Sequence, residues 1–174
     1  MPKKVLLIID ALNDFLEPDG VLYCGADGRN IIPYIRKLTQ QIKDEKGTVI
    51  YLTDAHDEND KEFELFPKHS VKGTKGSEII ADLAVDRKND IILEKTRFSG
   101  FYKTDLENVL AQLAPDEVHV TGVCTSICVL FTVIGLRDRD YSVIVHRQGV
   151  ADFNDEAHRF SLNHMEKVFG IKVV

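Results

Sequence analysis

Tryptophan is absent from this 174-residue chain, which also has two methionines, five prolines and three cysteines. The cysteines, Cys24, Cys124 and Cys128, are odd in number and too few for a disulfide framework. Reduced thiols are expected, each a small buried hydrophobe or a reactive group. A long hydrophobic run is also missing. The apolar stretch Val5–Ile9 stops at Asp10, far short of the ~20 residues of a membrane span. Lys3 and Lys4 precede only that stretch, so no signal peptide is expected and the cytoplasm is the expected compartment. Positive charge is not in excess. Twenty-two Lys and Arg against 28 Asp and Glu leave a net charge of −6, which disfavours a nucleic-acid partner. No Pro/Gly/Ser-rich linker divides the chain and no internal repeat is visible.

What remains is ordinary globular composition, 44% hydrophobic and 29% charged. The length implies one domain over residues 1–174 that needs no metal or disulfide merely to hold together. Strands are predicted at Val5–Ile9, Thr48–Thr53, Asp90–Leu93, Glu117–Thr121, Tyr141–Val145 and Ile171–Val174. Helices are predicted at Asn30–Lys46, Ser77–Leu83, Thr104–Leu113, Thr125–Arg137 and Asp155–Val168. Thr104 and Glu107 have capping-box spacing. Ala55–Gly76 has no sustained period and reads as a long functional loop. Short apolar strands alternating with helices predict an α/β fold, a parallel sheet with helices on both faces.

The polar residues fall at one edge of that sheet. Asp10, Asp54, Lys95 and the Gly122–Cys128 turn each follow the C-terminal end of a predicted strand, where open parallel sheets bind ligands. Cys128 lies in GVCTSICV, in the first turn of a helix, where the dipole and free N–H groups favour a thiolate and a developing oxyanion. Alone, each residue has a plainer reading: a buried cysteine, a loop-capping aspartate, a solvated lysine. Together they suit nucleophilic catalysis, with Asp10 moving the proton and Lys95 lowering the thiol pKa. Cys124, in the turn before the helix, is the rival nucleophile. Asp54-x-His56 with Glu62 and His69 offers two imidazoles and two carboxylates, a set suited to zinc, iron, manganese or nickel. A solvated acidic loop is the plainer alternative. Phe15, Phe66, Phe98 and Phe101 lie near these positions and suit a flat ligand, or ordinary core filling. His119 reads as structural, and His158 and His164 as surface residues.

The segments ALNDF, TDAHDEND, LFPKHSVKGTKGSE, EKTRFSGFYKTDLE and TGVCTSICVLFT occur in order over nearly the whole chain. In these the sequence resembles the isochorismatase-like cysteine hydrolases, and within them the nicotinamidase/pyrazinamidase branch. The resemblance implies a six-stranded parallel sheet with helices on both sides. It implies a catalytic triad of Asp10, Lys95 and Cys128, an oxyanion hole of the Cys124 and Cys128 N–H groups, and a cis Val123–Cys124 peptide. It implies a divalent metal, zinc first, on Asp54, His56, Glu62 and His69, which holds a pyridine nitrogen. Phe66 stands where some members use tryptophan, and the pocket aromatics are Phe15, Phe66 and Phe98. The implied activity is hydrolysis of nicotinamide to nicotinate and ammonia in NAD salvage, with a small amide as the partner and a homo-oligomer as the common assembly. Ser126 departs from the usual T-D-x-C pattern. That departure keeps another small amide open as substrate, such as an N-carbamoyl compound. A binding protein that retains a pocket, and a redox role for Cys124 and Cys128, are the readings from other classes.

Overall fold

Val5–Ile9 is apolar without interruption because both of its faces are covered. In the computed structural model, which describes residues 2–174, it forms most of β1 (Lys4–Ile9). Val5, Leu7 and Ile9 enter one hydrophobic cluster, and Leu6 and Ile8 enter another on the opposite face. The other strands are β2 (Thr48–Asp54), β3 (Ile91–Lys95), β4 (Glu117–Val123), β5 (Val143–Ala151) and β6 (Lys172–Val173). All pairings are parallel, in the order β3-β2-β1-β4-β5-β6. Helices α1 (Asn13–Leu16) and α2 (Gly25–Asp44) cover one face through Leu16, Ile31, Ile35 and Ile42. Helices α3 (Leu106–Leu113), α4 (Leu130–Arg137) and α5 (Asp155–Lys167) cover the other through Leu110, Val133, Leu136 and Met165. The α/β class and the six-stranded parallel sheet are therefore as expected.

The chain builds outward from β1 to β3, then returns to β4 on the other side of β1. That reversal opens a crevice beyond the C-terminal ends of β1 and β4. Gly122 sits at its edge with φ +116°, and a Cβ there would fall 2.0 Å from the Ile9 carbonyl oxygen. Only glycine lets the two strands approach this closely.

Several element boundaries differ from expectation. Helix α2 starts at Gly25 rather than Asn30, ahead of the stripe that begins at Ile31, and stops at Asp44 rather than Lys46, which is itself in the left-handed region. Ser77–Leu83 is not a helix but two short 3₁₀ turns, Lys75–Ser77 and Ala81–Leu83, around an antiparallel bridge of Ile79 to Leu12. The capping box does not form. The Thr104 hydroxyl accepts the Leu106 N–H at 3.3 Å, but Glu107 turns outward to Arg139 at 3.0 Å. The helix expected over Thr125–Arg137 divides into a π-helical turn, Thr125–Val129, and α4. Strand β5 runs six residues past the expected end at Val145, through a register shift between Val120 and Gly122 of its partner.

Candidate active site

Asp10 follows β1 in a left-handed conformation, φ 49°. Its Oδ1 accepts the Asp54 N–H at 2.8 Å, which ties the ends of β1 and β2 together. Lys95 ends β3 and is 1% exposed. Its ammonium lies 2.8 Å from Asp10 Oδ2, an ion pair not aligned as a hydrogen bond. It also donates to Asp54 Oδ1, to the Arg97 carbonyl at 3.2 Å and to Cys128 Sγ at 3.5 Å. The structure thus gathers Asp10, Lys95 and Cys128 as expected, and adds Asp54 as a second carboxylate on the lysine. Oxygen atoms of Asp10 and Asp54 and the Cys128 sulfur all lie within 4.8 Å of one another.

Burial decides the protonation states here. It pushes the Asp10 carboxyl up, as does the neighbouring Asp54 charge, and Lys95 pulls it back, leaving a pKa of about 6. Burial works against the Lys95 ammonium, but Asp10 and Asp54 outweigh it and hold its pKa well above the usual lysine value. The Cys128 thiol is pushed well up by burial, with Asp10 and Asp54 adding to the effect of burial and Lys95 opposing it. Cys128 therefore rests as a thiol, whose proton Asp10 is expected to take. Lys95 acts in the expected direction, and burial overcomes it.

Cys128 occupies the π turn rather than an α-helical first turn. The Cys124 carbonyl accepts from Ile127 N–H at 3.1 Å and from Val129 N–H at 3.2 Å. Such single π turns recur at functional sites. The Val123–Cys124 peptide is cis, as the resemblance implies. Cys124 packs its sulfur 3.6 Å from Cys24, away from the lysine contacts.

Beside this cluster, Asp54, His56, Glu62 and His69 each aim one ligand atom at a common point. His56 Nε2 lies 3.6 Å from Asp54 Oδ2 and 3.8 Å from Glu62 Oε1, and His69 Nε2 lies 4.0 and 3.9 Å from the same atoms. These are too long for hydrogen bonds, yet close to the ~3.4 Å edge of a tetrahedron drawn at zinc–ligand distances. His56 Nε2 and Glu62 Oε2 are buried without any hydrogen-bond partner. The donor set and its orphaned atoms fit a divalent cation. The outer nitrogens are held as metal-bound imidazoles usually are: His56 Nδ1 by Asp60 at 3.2 Å, His69 Nδ1 by the Pro67 carbonyl at 2.7 Å. Asp60 is in turn held by Arg97 at 2.8 and 3.0 Å. The long Ala55–Gly76 segment is thus pinned, helped by a His56–Val71 bridge and the 3₁₀ turn Lys61–Glu64.

Phe15, Phe66 and Phe98 line the pocket over Cys128, joined by Leu22, Ile127 and Phe153. Phe101 does not reach it; its ring packs under Arg139, 4.1 Å from ring centroid to guanidinium carbon. A larger polar cleft of about 350 Å³, lined by Tyr34, Arg147, Asp152 and His158 among others, lies away from Asp10, Lys95 and Cys128. It is not where the reactive groups converge. His119 is structural, bonded to His146 at 2.8 Å. His158 is half-buried on Thr125, at 2.8 Å, and His164 stacks on Phe160. Sequence reasoning missed Asp60, Arg97, Asp152 and Phe153. Asp152 had a readable signal, an acid directly after a strand, hidden by the early expected end of β5.

The fold and a buried thiol beside a carboxylate and a lysine suit a hydrolase, and comparison with known proteins supplies its class, an isochorismatase-family amidohydrolase. The model of the isochorismatase domain matches residues 4–173, so the chain belongs to the isochorismatase family. The isochorismatase family protein PncA of Bacillus subtilis (strain 168) is 39% identical over 180 residues, covering 98% of each chain. The crystal structure of nicotinamidase/pyrazinamidase PncA from Bacillus subtilis matches at TM-score 0.93 and 37% identity, over 99% of both chains. N-carbamoylsarcosine amidase from Thermoplasma acidophilum matches at TM-score 0.89 and 30% identity, over 98% and 95%. Pyrazinamidase of Pyrococcus horikoshii in complex with zinc matches at TM-score 0.91 and 28% identity, over 99% of both.

Proposed function

We propose that this enzyme hydrolyses nicotinamide to nicotinate and ammonia through a thioester on Cys128. One observation carries the reading: Asp54 belongs to two clusters at once, accepting from the ammonium that touches Cys128 and offering its other oxygen to the imidazoles. A ring nitrogen and an amide carbon of one small flat molecule suit two centres joined in this way. Phe15, Phe66 and Phe98 supply apolar walls for its ring.

Near pH 7 Asp10 is mostly ionised and Cys128 is a thiol, so attack needs a base. Asp10 takes the thiol proton as sulfur bonds to the amide carbon. The N–H groups of Cys124 and Cys128 receive the oxyanion. Asp10 returns the proton to the leaving nitrogen, and ammonia departs as the thioester forms. Water then loses a proton to Asp10 and attacks the thioester. Collapse expels the sulfur, which regains the proton, and releases the acid. Lys95 keeps its charge throughout and balances whichever partner is anionic. A divalent ion, zinc by preference, on Asp54, His56, Glu62 and His69 would supply a Lewis-acidic anchor for the ring nitrogen.

Ser126, where the branch has aspartate, and the similarity to N-carbamoylsarcosine amidase favour one second reading: a carbamoyl amide as substrate with the same chemistry. Ammonia release from nicotinamide and from N-carbamoylsarcosine, measured side by side on metal-loaded enzyme, separates the two. Turnover of the carbamoyl compound alone would replace the first reading with the second.

A further inference from the structure

We propose that Asp152 is a positioning residue for the nucleophile, clamping the π turn through Ser126 so that Cys128 is held against Asp10 and Lys95. The inference rests on the reading of Cys128 as nucleophile. A π turn is wide, and the N–H groups that open it lack the partners a continuous helix would provide. Asp152, directly after β5 and 5% exposed, supplies them from outside. Its Oδ2 accepts both the Ser126 N–H at 2.8 Å and the Ser126 hydroxyl at 2.7 Å. Both bonds converge on one carboxylate oxygen, so backbone and side chain of Ser126 are held at the same point. Its Oδ1 accepts the Asn154 N–H at 3.1 Å, which fixes the carboxylate on its own loop.

The neighbouring residue is anchored in the same way. Thr125 Oγ1 lies 2.8 Å from His158 Nδ1 on α5. Two consecutive residues of the turn are therefore bonded to the β5–α5 side, while Cys128, two residues on, meets Lys95 on the β3 side. No hydrogen bond joins Asp152 to Asp10, Lys95 or Cys128, so its action passes through Ser126. The residue that follows β5 thus brings a carboxylate against Ser126.

The test uses the full, metal-loaded chain. Asp152→Ala is expected to lower kcat for nicotinamide about 10- to 100-fold with KM nearly unchanged, the scale of a small misplacement of reacting atoms. Asp152→Asn, which keeps an acceptor oxygen for Ser126, is expected to recover most of the loss. Ser126→Ala is expected to lower kcat several-fold alone and to add nothing in the Asp152→Ala background. Normal kcat in folded Asp152→Ala enzyme, or full multiplication of the two losses, overturns the clamp. If Asp152→Ala does not fold, the Ser126→Ala and Asp152→Asn pair decides by the same criterion. Alkylation of Cys128 by iodoacetamide, followed on all variants, reads the clamp without any substrate. Wild-type enzyme that is alkylated rapidly but does not turn over nicotinamide therefore refutes the substrate and leaves the clamp to be judged on alkylation rates alone.

Discussion

Replacing Lys95 with Met keeps the bulk of the side chain and removes one charge from the most enclosed part of the protein. Asp10 is 0% and Asp54 2% exposed, and both lean on that ammonium. Removing one partner of a buried ion pair costs about 3–5 kcal/mol, because the orphaned charge has neither water nor counter-ion. With a urea m-value near 2 kcal/mol/M, the midpoint should fall by about 2 M at pH 8. Without tryptophan the natural readout is far-UV circular dichroism, on metal-free enzyme so that ion binding does not contribute. The orphaned carboxylates would have folded-state pKa values above their unfolded ones, so the folded state binds the extra protons. The deficit should therefore be largest at pH 8 and shrink as pH falls toward 5. Adding Asp10→Asn should restore part of the stability and none of the activity. A deficit below about 1 kcal/mol at pH 8, or one identical at pH 5 and 8, refutes the claim that Lys95 holds two buried carboxylates.

Asp10 must be ionised to accept the thiol proton, so kcat/KM should fall as pH drops through about 6; Asp10→Asn should cost about 10²–10⁴-fold, and a variant with normal rate removes Asp10 from the mechanism. Chelation, or His56→Ala, should hurt nicotinamide far more than benzamide, which has no ring nitrogen; an unchanged ratio of the two rates, with circular dichroism preserved, contradicts the metal's role in placing the ring. The His119–His146 pair should make the fold acid-sensitive. Burial, then the His119 and Lys172 charges, hold His146 down at about 4 against an unfolded value near 6.5. Its contribution of ~3 kcal/mol is present above the unfolded value and is lost as pH falls through the folded one. His146→Phe should flatten that loss between pH 6.5 and 4 in urea titrations, and an unflattened loss would assign it elsewhere.

Asp10, Asp54 and Lys95 were legible because each interrupts or follows a short apolar run, and a parallel sheet sends such residues to one edge. Asp54-x-His56 was legible from the types of its donors. Asp152 follows the same rule as Asp10, but the polar run His146-Arg147-Gln148 falls within β5 and reads as its end. The strand persists because its far part, Val150 and Ala151, pairs with Gly122 and Val123 beyond the register shift. Arg97 on Asp60 spans 37 residues, and no local pattern announces it. The balance of effects on the Cys128 thiol is tertiary and was not legible in the sequence. A helix start and a lysine favour the thiolate, but complete burial, with two carboxylates nearby, outweighs them. The Ser77–Leu83 helix failed because Ile79 is bridged to Leu12, and that pairing holds the segment extended between its two short turns.

Covalent catalysis at Cys128 leaves an acyl group on the sulfur, which acid-quenched mass spectrometry during nicotinamide turnover would catch. A nicotinoyl adduct is expected on the peptide that carries Cys128. It should be absent in inactive Cys128→Ala enzyme and present in Cys124→Ala enzyme, which keeps its backbone N–H and most of its activity. An adduct on Cys124, or turnover surviving in the Cys128→Ala enzyme, would contradict covalent catalysis at Cys128.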